Sequence, residues 1–422
     1  MEDNKKERKM SKKDKKGKKD EELEGLQAED EGPLPVDDDG GMTEVLDQEP
    51  RNILLSLLSQ VRIGMDLSRV TLPTFILEPK SFLEKLTDFM THPSLIVSSP
   101  KLEDPVDRFL AITKWYMSGF YIRPKGVKKP YNPILGEIFR ASWHHDESSK
   151  SFFVAEQVSH HPPVSAFYAS NRKNGLVMNG SIHFRSKFMG NSTAAILDGE
   201  ATLHLLHHNE QYIFTFPSAI ARGILWGTLL MELGGNVTVR CPENDLKAEI
   251  EFKTKPFFGG DYNVISGKII EGKKKTLYTL SGKWDKQIFV KEQKAKKSEV
   301  FWDPVGVPKE KMLIRPLKDQ EEFESRKLWH NVTQALVKGD QETATDEKCK
   351  LEDAQRQGVI DRDRDGVTYE PRLFRKEENG DWVYKYINLD PKFNEEEEEE
   401  VEEEGIIQIK SKAELSQASS SE

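Results

Sequence analysis

The chain has 422 residues, more than one ordinary hydrophobic core holds, so one large domain or two smaller ones are open. With 36% hydrophobic and 32% charged residues it is too polar to be globular throughout, and a folded centre between charged arms is expected. Two cysteines, Cys241 and Cys349, exclude a disulfide-built secreted scaffold and fit a reducing compartment. The N-terminus has no apolar signal core, and the longest uncharged apolar run, Gly223–Met231, is about half of a membrane span. A cytosolic protein is expected.

Charge divides the chain. Residues 1–20 hold ten Lys/Arg against five acids, residues 21–50 hold twelve acids and no base, and residues 391–422 hold eleven acids against three bases. The arms therefore carry −7 and −8, and removing them from the total of −10 leaves residues 51–390 at about +5. Neither arm has apolar periodicity, so 1–50 and 391–422 are read as disordered. The lysine run is read as a solubilising arm, since the acidic block after it offsets attraction to anionic membrane.

In chain order, Ile53, Leu54, Leu55, Leu57, Leu58 and Val61 give a short helix whose apolar face is too broad to be solvated. It must cover something. Thr71–Glu78 reads as extended because Pro73 holds Leu72 out of helix. Lys80–Met90 reads as helical, with Leu83, Leu86, Phe89 and Met90 on one side. Asp104-Pro105 is a helix start, a capping acid before proline at the first helical position, and that helix runs to about Met117 with Gly119 as its stop. From about Tyr131 to Val290 the period becomes two. Ile182, Phe184 and Phe188 alternate with His183, Arg185 and Lys187, and Ala248, Ile250 and Phe252 with Glu249, Glu251 and Lys253. Asn-Gly and Gly-Gly turns separate about ten antiparallel strands, each polar on one side, which suggests a large sheet curled into a barrel, though a packed sandwich also fits. Past Pro316 the helical period returns through Phe323, Trp329, Val332 and Leu336, and a charged helix follows to Arg356.

Three strings bear on chemistry. In Glu156-Gln157-Val158-Ser159-His160-His161-Pro162-Pro163, the prolines exclude helix and hold two imidazoles on a stiff turn. No third ligand at metal-binding spacing accompanies them, and no nucleophile setting is recognisable, so zinc and catalysis are both disfavoured. Imidazole N–H donors on a rigid loop suit an anion such as phosphate. The pairs His144-His145 and His207-His208 are assigned to loops without function. In Lys128–Glu137 (KKPYNPILGE), the prolines fix a loop that lets Lys129 and Asn132 point together; alone, the string would be an ordinary polar turn. Lys348, Glu352 and Arg356 recur every fourth residue, and ion pairs along a solvated helix explain that pattern without function.

These strings resemble the oxysterol-binding-protein-related family of lipid transfer proteins. EQVSHHPPVSAF is similar to its signature, and KKPYNPILGE and KCKLEDAQR are similar to its other head-group strings. The likeness covers about Arg51 to Arg356, with FRKEENGDWVYKY resembling the family's C-terminal end. TLPTFILEPKSFLE and Ser186–Gly199 are most similar to the phosphatidylserine-transferring branch.

The resemblance implies a mainly β fold with flanking helices (α+β), a near-complete antiparallel barrel enclosing a lipid tunnel, closed by an N-terminal lid. On this reading the lipid-binding domain is 51–390, with the lid at about 51–78, helices at 80–119, the barrel at 131–290 and C-terminal helices at 318–360. It implies no enzyme, catalytic residue, cofactor, metal or nucleic acid, but exchange of phosphatidylserine for phosphatidylinositol 4-phosphate, one lipid at a time. Carried over by motif, His160 and His161 hold the 4-phosphate, Lys129 and Asn132 serve both lipids, and Lys348, Glu352 and Arg356 complete the inositol phosphate site. Leu72, Thr74 and Ser186 are added contacts for phosphatidylserine. Transient contact with anionic membranes is implied, at endoplasmic reticulum–plasma membrane contacts. The chain departs from long relatives in having neither a pleckstrin-homology domain nor a C-terminal span, and no acidic-flanked Phe-Phe peptide, so an endoplasmic-reticulum tether partner is left open. Sterol exchange by the same fold and a lipid-gated sensor or adaptor are the competing readings.

Overall fold

The computed structural model describes residues 73–122, 128–146, 149–226, 228–256 and 258–395, together with the two-residue strand Thr43–Glu44. The Leu-rich segment expected to form the lid, and Leu72, lie outside the described residues. The strands are β1 (Thr43–Glu44), β2 (Leu77–Ser81), β3 (Lys129–Tyr131), β4 (Ile138–Asp146), β5 (Ser149–His160), β6 (Pro163–Asn171) and β7 (Leu176–Phe188). They continue as β8 (Ser192–Asp198), β9 (Ala201–Leu205), β10 (Glu210–Phe214), β11 (Ser218–Arg222), β12 (Leu229–Cys241) and β13 (Leu246–Lys253). β14 (Val264–Glu271), β15 (Lys275–Lys283), β16 (Ile288–Glu292) and β17 (Glu299–Trp302) complete the large sheet, from which β2 and β3 stand apart as a parallel pair, and β18 (Phe374–Lys376) pairs with β19 (Trp382–Tyr384).

The large sheet is antiparallel and runs β17-β16-β15-β14-β13-β12-β10-β9-β7-β6-β5-β4. β8 and β11 pair with each other and extend the long strands β7 and β12. A sheet this wide curls rather than staying open. The edge of β4 is covered by the C-terminal chain, where Ser142 and Leu313 exchange backbone hydrogen bonds at 2.8–2.9 Å and the Ile138 amide donates to Phe323 at 3.0 Å. The chain that leaves β17 at Trp302 thus reaches β4 at Leu313 and links the two ends of the sheet into a near-complete barrel.

The helices are α1 (Phe82–Lys85), α2 (Pro93–Val97), α3 (Pro105–Ser118), α4 (Ser325–Leu328), α5 (His330–Val337) and α6 (Gln341–Asp365). α3 starts as expected: Asp104 accepts from the amides of Val106 and Asp107, Pro105 opens the helix, and Gly119 ends it. Phe109, Ile112, Trp115 and Met117 pack in one cluster with Val237, Ile250 and Leu280, so α3 fills part of the barrel interior. Its Arg108 is paired with buried Glu210 on β10, which also accepts from Tyr212 and Asn244 at 2.8 and 2.7 Å.

The local expectations need four corrections. Lys80–Met90 is not one helix: β2 runs to Ser81, where pairing with β3 wins, and α1 passes into a 3-10 turn over Leu86–Met90. Thr74–Ile76 is a 3-10 turn inside the segment expected to be extended. His144 and His145 sit on β4 rather than a loop, His145 bridging Ser151 at 2.8 Å and Glu310 at 3.2 Å. β5 and β6 are buried on both faces instead of alternating. A second layer explains the last point: Leu373, Phe374 and Tyr384 pack over Phe152, Val154, Tyr168 and Val177 on the outside of the barrel.

Candidate functional site

Inside the barrel lies a chamber of about 410 Å³, lined mostly by apolar side chains. Phe89, Trp115 and Tyr116 from the helices line it with Phe184, Phe214 and Met231 from the strands and Phe216 from the β10–β11 connection. The period-two pattern of β7 delivers Met178, Ile182, Phe184 and then Ser186 to this wall. Lys128 just before β3, Lys129 on it and Asn132 just after it also line the chamber, with Gln157 from β5 and Ser165 from β6. Asn132 is exposed and Lys129 half-buried, so this side of the chamber meets solvent.

The Lys128–Glu137 string is held from both sides. Lys128 Nζ donates to the Phe75 carbonyl at 2.9 Å, and the Leu135 amide donates to Gln355 Oε1 of α6 at 2.8 Å. Its terminal Glu137 is fully buried and accepts from Ser81, from Ser325 at 2.7 Å, from Trp329 Nε1 at 2.9 Å and from the Ile134 amide at 3.0 Å. Burial pushes the Glu137 carboxyl above the usual range, and these donors oppose that shift. Gly136 adopts φ +81°, and a Cβ there would come within 2.6 Å of the Tyr369 hydroxyl.

The two histidines occupy the tight turn between β5 and β6, where the His161–Pro162 peptide is cis and Ser159 Oγ donates to the Pro162 carbonyl at 2.7 Å. Their rings meet edge to face at 4.7 Å. His161 is exposed, while half-buried His160 places Nδ1 3.2 Å from the Pro133 carbonyl. A carbonyl only accepts, so Nδ1 carries the hydrogen and Nε2 of the neutral ring is left as an acceptor. Desolvation and the neighbouring His161 bring the His160 pKa down to about 4. Pro133 and Pro163, beside His160 in space and in register, line the chamber, so the imidazoles sit just past its rim.

Helix α6 brings the third string to the same side. Buried Lys348 donates to Glu352 at 2.5 Å, and Glu352 acts electrostatically on His160. Arg356 turns to Asp353 at 2.5 Å, with its side chain 61% exposed. Thr74 does not line the chamber: its hydroxyl contacts Gln341 Oε1 at 2.8 Å and Thr345 at 3.1 Å at the start of α6. Ser186 lines the chamber. Lys129, Asn132 and Ser186 therefore share the chamber wall, His160, His161, Lys348 and Glu352 gather past the rim, and Arg356 and Thr74 are engaged elsewhere.

Sequence reasoning missed Gln157 and Ser165, adjacent wall residues joined by the Ser165 hydroxyl donating to Gln157 Oε1 at 2.6 Å. Glu156 and Gln157 point to opposite faces of β5, and Glu156 instead accepts from the Arg372 and Leu373 amides at 2.7 Å and from Tyr369 at 3.0 Å. Alternation from Glu156 would have sent Gln157 inward, but nothing distinguished inside from outside on a strand buried on both faces.

Residues 56–335 match the family model described as "Oxysterol-binding protein". The chain belongs to the oxysterol-binding protein family. It is 51% identical over 374 residues to oxysterol-binding protein 4 of Dictyostelium discoideum, covering 86% of this chain and 80% of that protein. It is 48% identical over 360 residues to human oxysterol-binding protein-related protein 5, covering 84% of this chain but only 41% of the relative. To oxysterol-binding protein homolog 6 of Saccharomyces cerevisiae it is 40% identical over 356 residues, covering 82% and 79%. The fold is similar to that of the Osh1 ORD domain in complex with cholesterol (TM-score 0.66, 22% identity, 87% of this chain and 96% of that one). It is also similar to that of the Saccharomyces cerevisiae Osh3 ORD in complex with PI(4)P (TM-score 0.64, 24% identity, 83% and 93%). A lipid-binding family domain with a barrel fold is therefore established, and among the described residues no helix is long and apolar enough to cross a membrane.

Proposed function

We propose that this chain exchanges phosphatidylserine for phosphatidylinositol 4-phosphate between membranes, without making or breaking a bond. The observation that carries the reading is the division of the site into an apolar chamber with Lys129, Asn132 and Ser186 on its wall, and a polar rim at His160, His161 and Lys348. Each acyl CH₂ contributes about 0.8 kcal/mol in an apolar setting. A chamber that matches the bilayer in this respect leaves lipid choice to the polar contacts. A head group carrying a second phosphate reaches past the rim to the histidines, whereas a serine head group ends at Lys129, Asn132 and Ser186. The strings TLPTFILEPKSFLE and Ser186–Gly199, which resemble the phosphatidylserine-transferring branch, support serine over sterol as the second ligand.

The domain boundaries at 51 and 390, the lid at 51–78 and the contributions of Leu72, Thr74 and Arg356 are part of the same proposal. So is a cytoplasmic, peripheral location at endoplasmic reticulum–plasma membrane contacts. Arg356 reaches the phosphate only by releasing Asp353, and Thr74 serves phosphatidylserine only by releasing α6 or through its backbone.

The reading is tested by offering vesicles containing each lipid to wild type and to the double variant His160→Ala, His161→Ala, with mass spectrometry of the retained lipid. The variant is expected to lose phosphatidylinositol 4-phosphate and to keep phosphatidylserine. Equal loss of both by a folded variant defeats the two-ligand map, and extraction of sterol but not phosphatidylserine by wild type replaces the second ligand.

A further inference from the structure

The geometry points to a membrane-docking surface built from the loops β7–β8 and β11–β12, with Trp226 and Met189 as its apolar contacts; this rests on the lipid-exchange reading above. Trp226 is 63% exposed and Met189 40%, while the other six tryptophans are buried or half-buried. Exposure of Trp226 is not a sign of a loose loop. Asn191 Oδ1 accepts from the Leu225 and Trp226 amides at 2.9 and 3.0 Å, its Nδ2 donates to the Trp226 carbonyl at 3.0 Å, and its own carbonyl accepts from Gly223 at 3.0 Å. One asparagine thus fixes the backbone that holds the indole out into solvent, one loop against the other.

Position and charge select the occupant. Ile224, two residues before Trp226, lines the chamber, as do Ser186 and Thr193 at the base of the other loop, and all three are half-buried. The surface is therefore continuous with the chamber wall at an end where that wall meets solvent. The third neighbouring loop, β13–β14, is tied in through Arg222, which donates to the Lys255 carbonyl at 2.8 Å, and it carries Phe258 at 89% exposure. Arg222 is paired with Glu232 at 2.7 Å and Asp261 with Lys283 at 3.2 Å, and Lys187 and Lys255 are further cations at the edges of these loops. An indole and a thioether among cations beside an apolar chamber suit the interfacial zone of an anionic bilayer. There the lipid can pass from the membrane to Ile224 and the chamber without its chains crossing water.

The test uses the full chain, phosphatidylcholine vesicles, and the same vesicles with about one-third phosphatidylserine. Vesicle flotation and acrylamide quenching of tryptophan emission are read together, with mass spectrometry of retained lipid as the control. The surface predicts that vesicles shield Trp226 from quencher, that Trp226→Ser weakens flotation about tenfold and that Trp226→Phe stays within about twofold of wild type. Lys187→Glu should weaken attachment to the anionic vesicles alone. Retained lipid should be unchanged in each variant, because none of these side chains lines the chamber. Undiminished flotation of Trp226→Ser, or quenching unaltered by vesicles, overturns the proposal. So does shielding that appears with protein concentration alone alongside dimers in light scattering, which would make the occupant a second copy. A wild type that retains no lipid defeats the exchange reading instead, whatever the flotation result.

Discussion

His160 carries a consequence that the distances make explicit. Its Nδ1 hydrogen is committed to the Pro133 carbonyl at 3.2 Å, so the neutral ring offers a phosphate only a lone pair. For a productive contact the complex must hold one more proton than the separated partners near pH 8, on Nε2 or on the phosphate. Calorimetric titration with a short-chain phosphatidylinositol 4-phosphate in two buffers of different ionisation enthalpy is expected to show net proton uptake, reduced in His160→Asn. Buffer-independent heats would contradict it. The same group sets a stability trend in the unliganded protein. Its folded pKa of about 4 lies below the ordinary value of 6.5, so the unfolded chain binds the extra proton and stability falls as pH drops from 6.5 to 4. His160→Asn should flatten that part of the pH profile of thermal unfolding. His160 and His161 were legible as candidates because the prolines beside them hold two imidazoles on a rigid turn, whereas Lys129 and Asn132 stood out from an ordinary polar turn only through the family resemblance. Gln157 and Ser165 were not, since a wall residue of a two-sided strand reads like any other.

At the scale of elements, the acid that ends the Lys128–Glu137 string is an anchor rather than a ligand. Glu137 joins β2, α4, α5 and its own loop through Ser81, Ser325, Trp329 and Ile134. Glu137→Ala leaves those buried donors unmatched, at about 1–3 kcal/mol for each that finds no substitute. Urea unfolding should therefore show a loss of at least about 3 kcal/mol, and a loss under about 1 kcal/mol would contradict the anchoring role. Gly136→Ala should also destabilise, because its φ of +81° and the approach to Tyr369 both penalise a Cβ. The start of α3 and the alternation in β13 were readable from local chemistry alone. The doubly buried β5 and β6 were not, because the layer over them comes from residues 373–384, more than two hundred positions later in the chain. β2 was read only in part: its start at Leu77 and Glu78 fell in the segment read as extended, but its end at Lys80 and Ser81 was read as helix, because its partner β3 lies about fifty residues away.

For the whole molecule, the proposed exchange rests on a barrel whose chamber is mostly apolar and whose polar residues lie at its margin. On the exchange reading, two lipids that share one chamber compete for it, so each should block the rebinding of the other once it has left. The most direct measurement is transport of fluorescent phosphatidylserine between two vesicle populations, with and without phosphatidylinositol 4-phosphate in the acceptor, alongside native mass spectrometry of the protein. The account predicts complexes with one lipid at a time and faster phosphatidylserine delivery when the acceptor holds the counter-lipid. Protein carrying both lipids together, or delivery unaffected by phosphatidylinositol 4-phosphate, would contradict it.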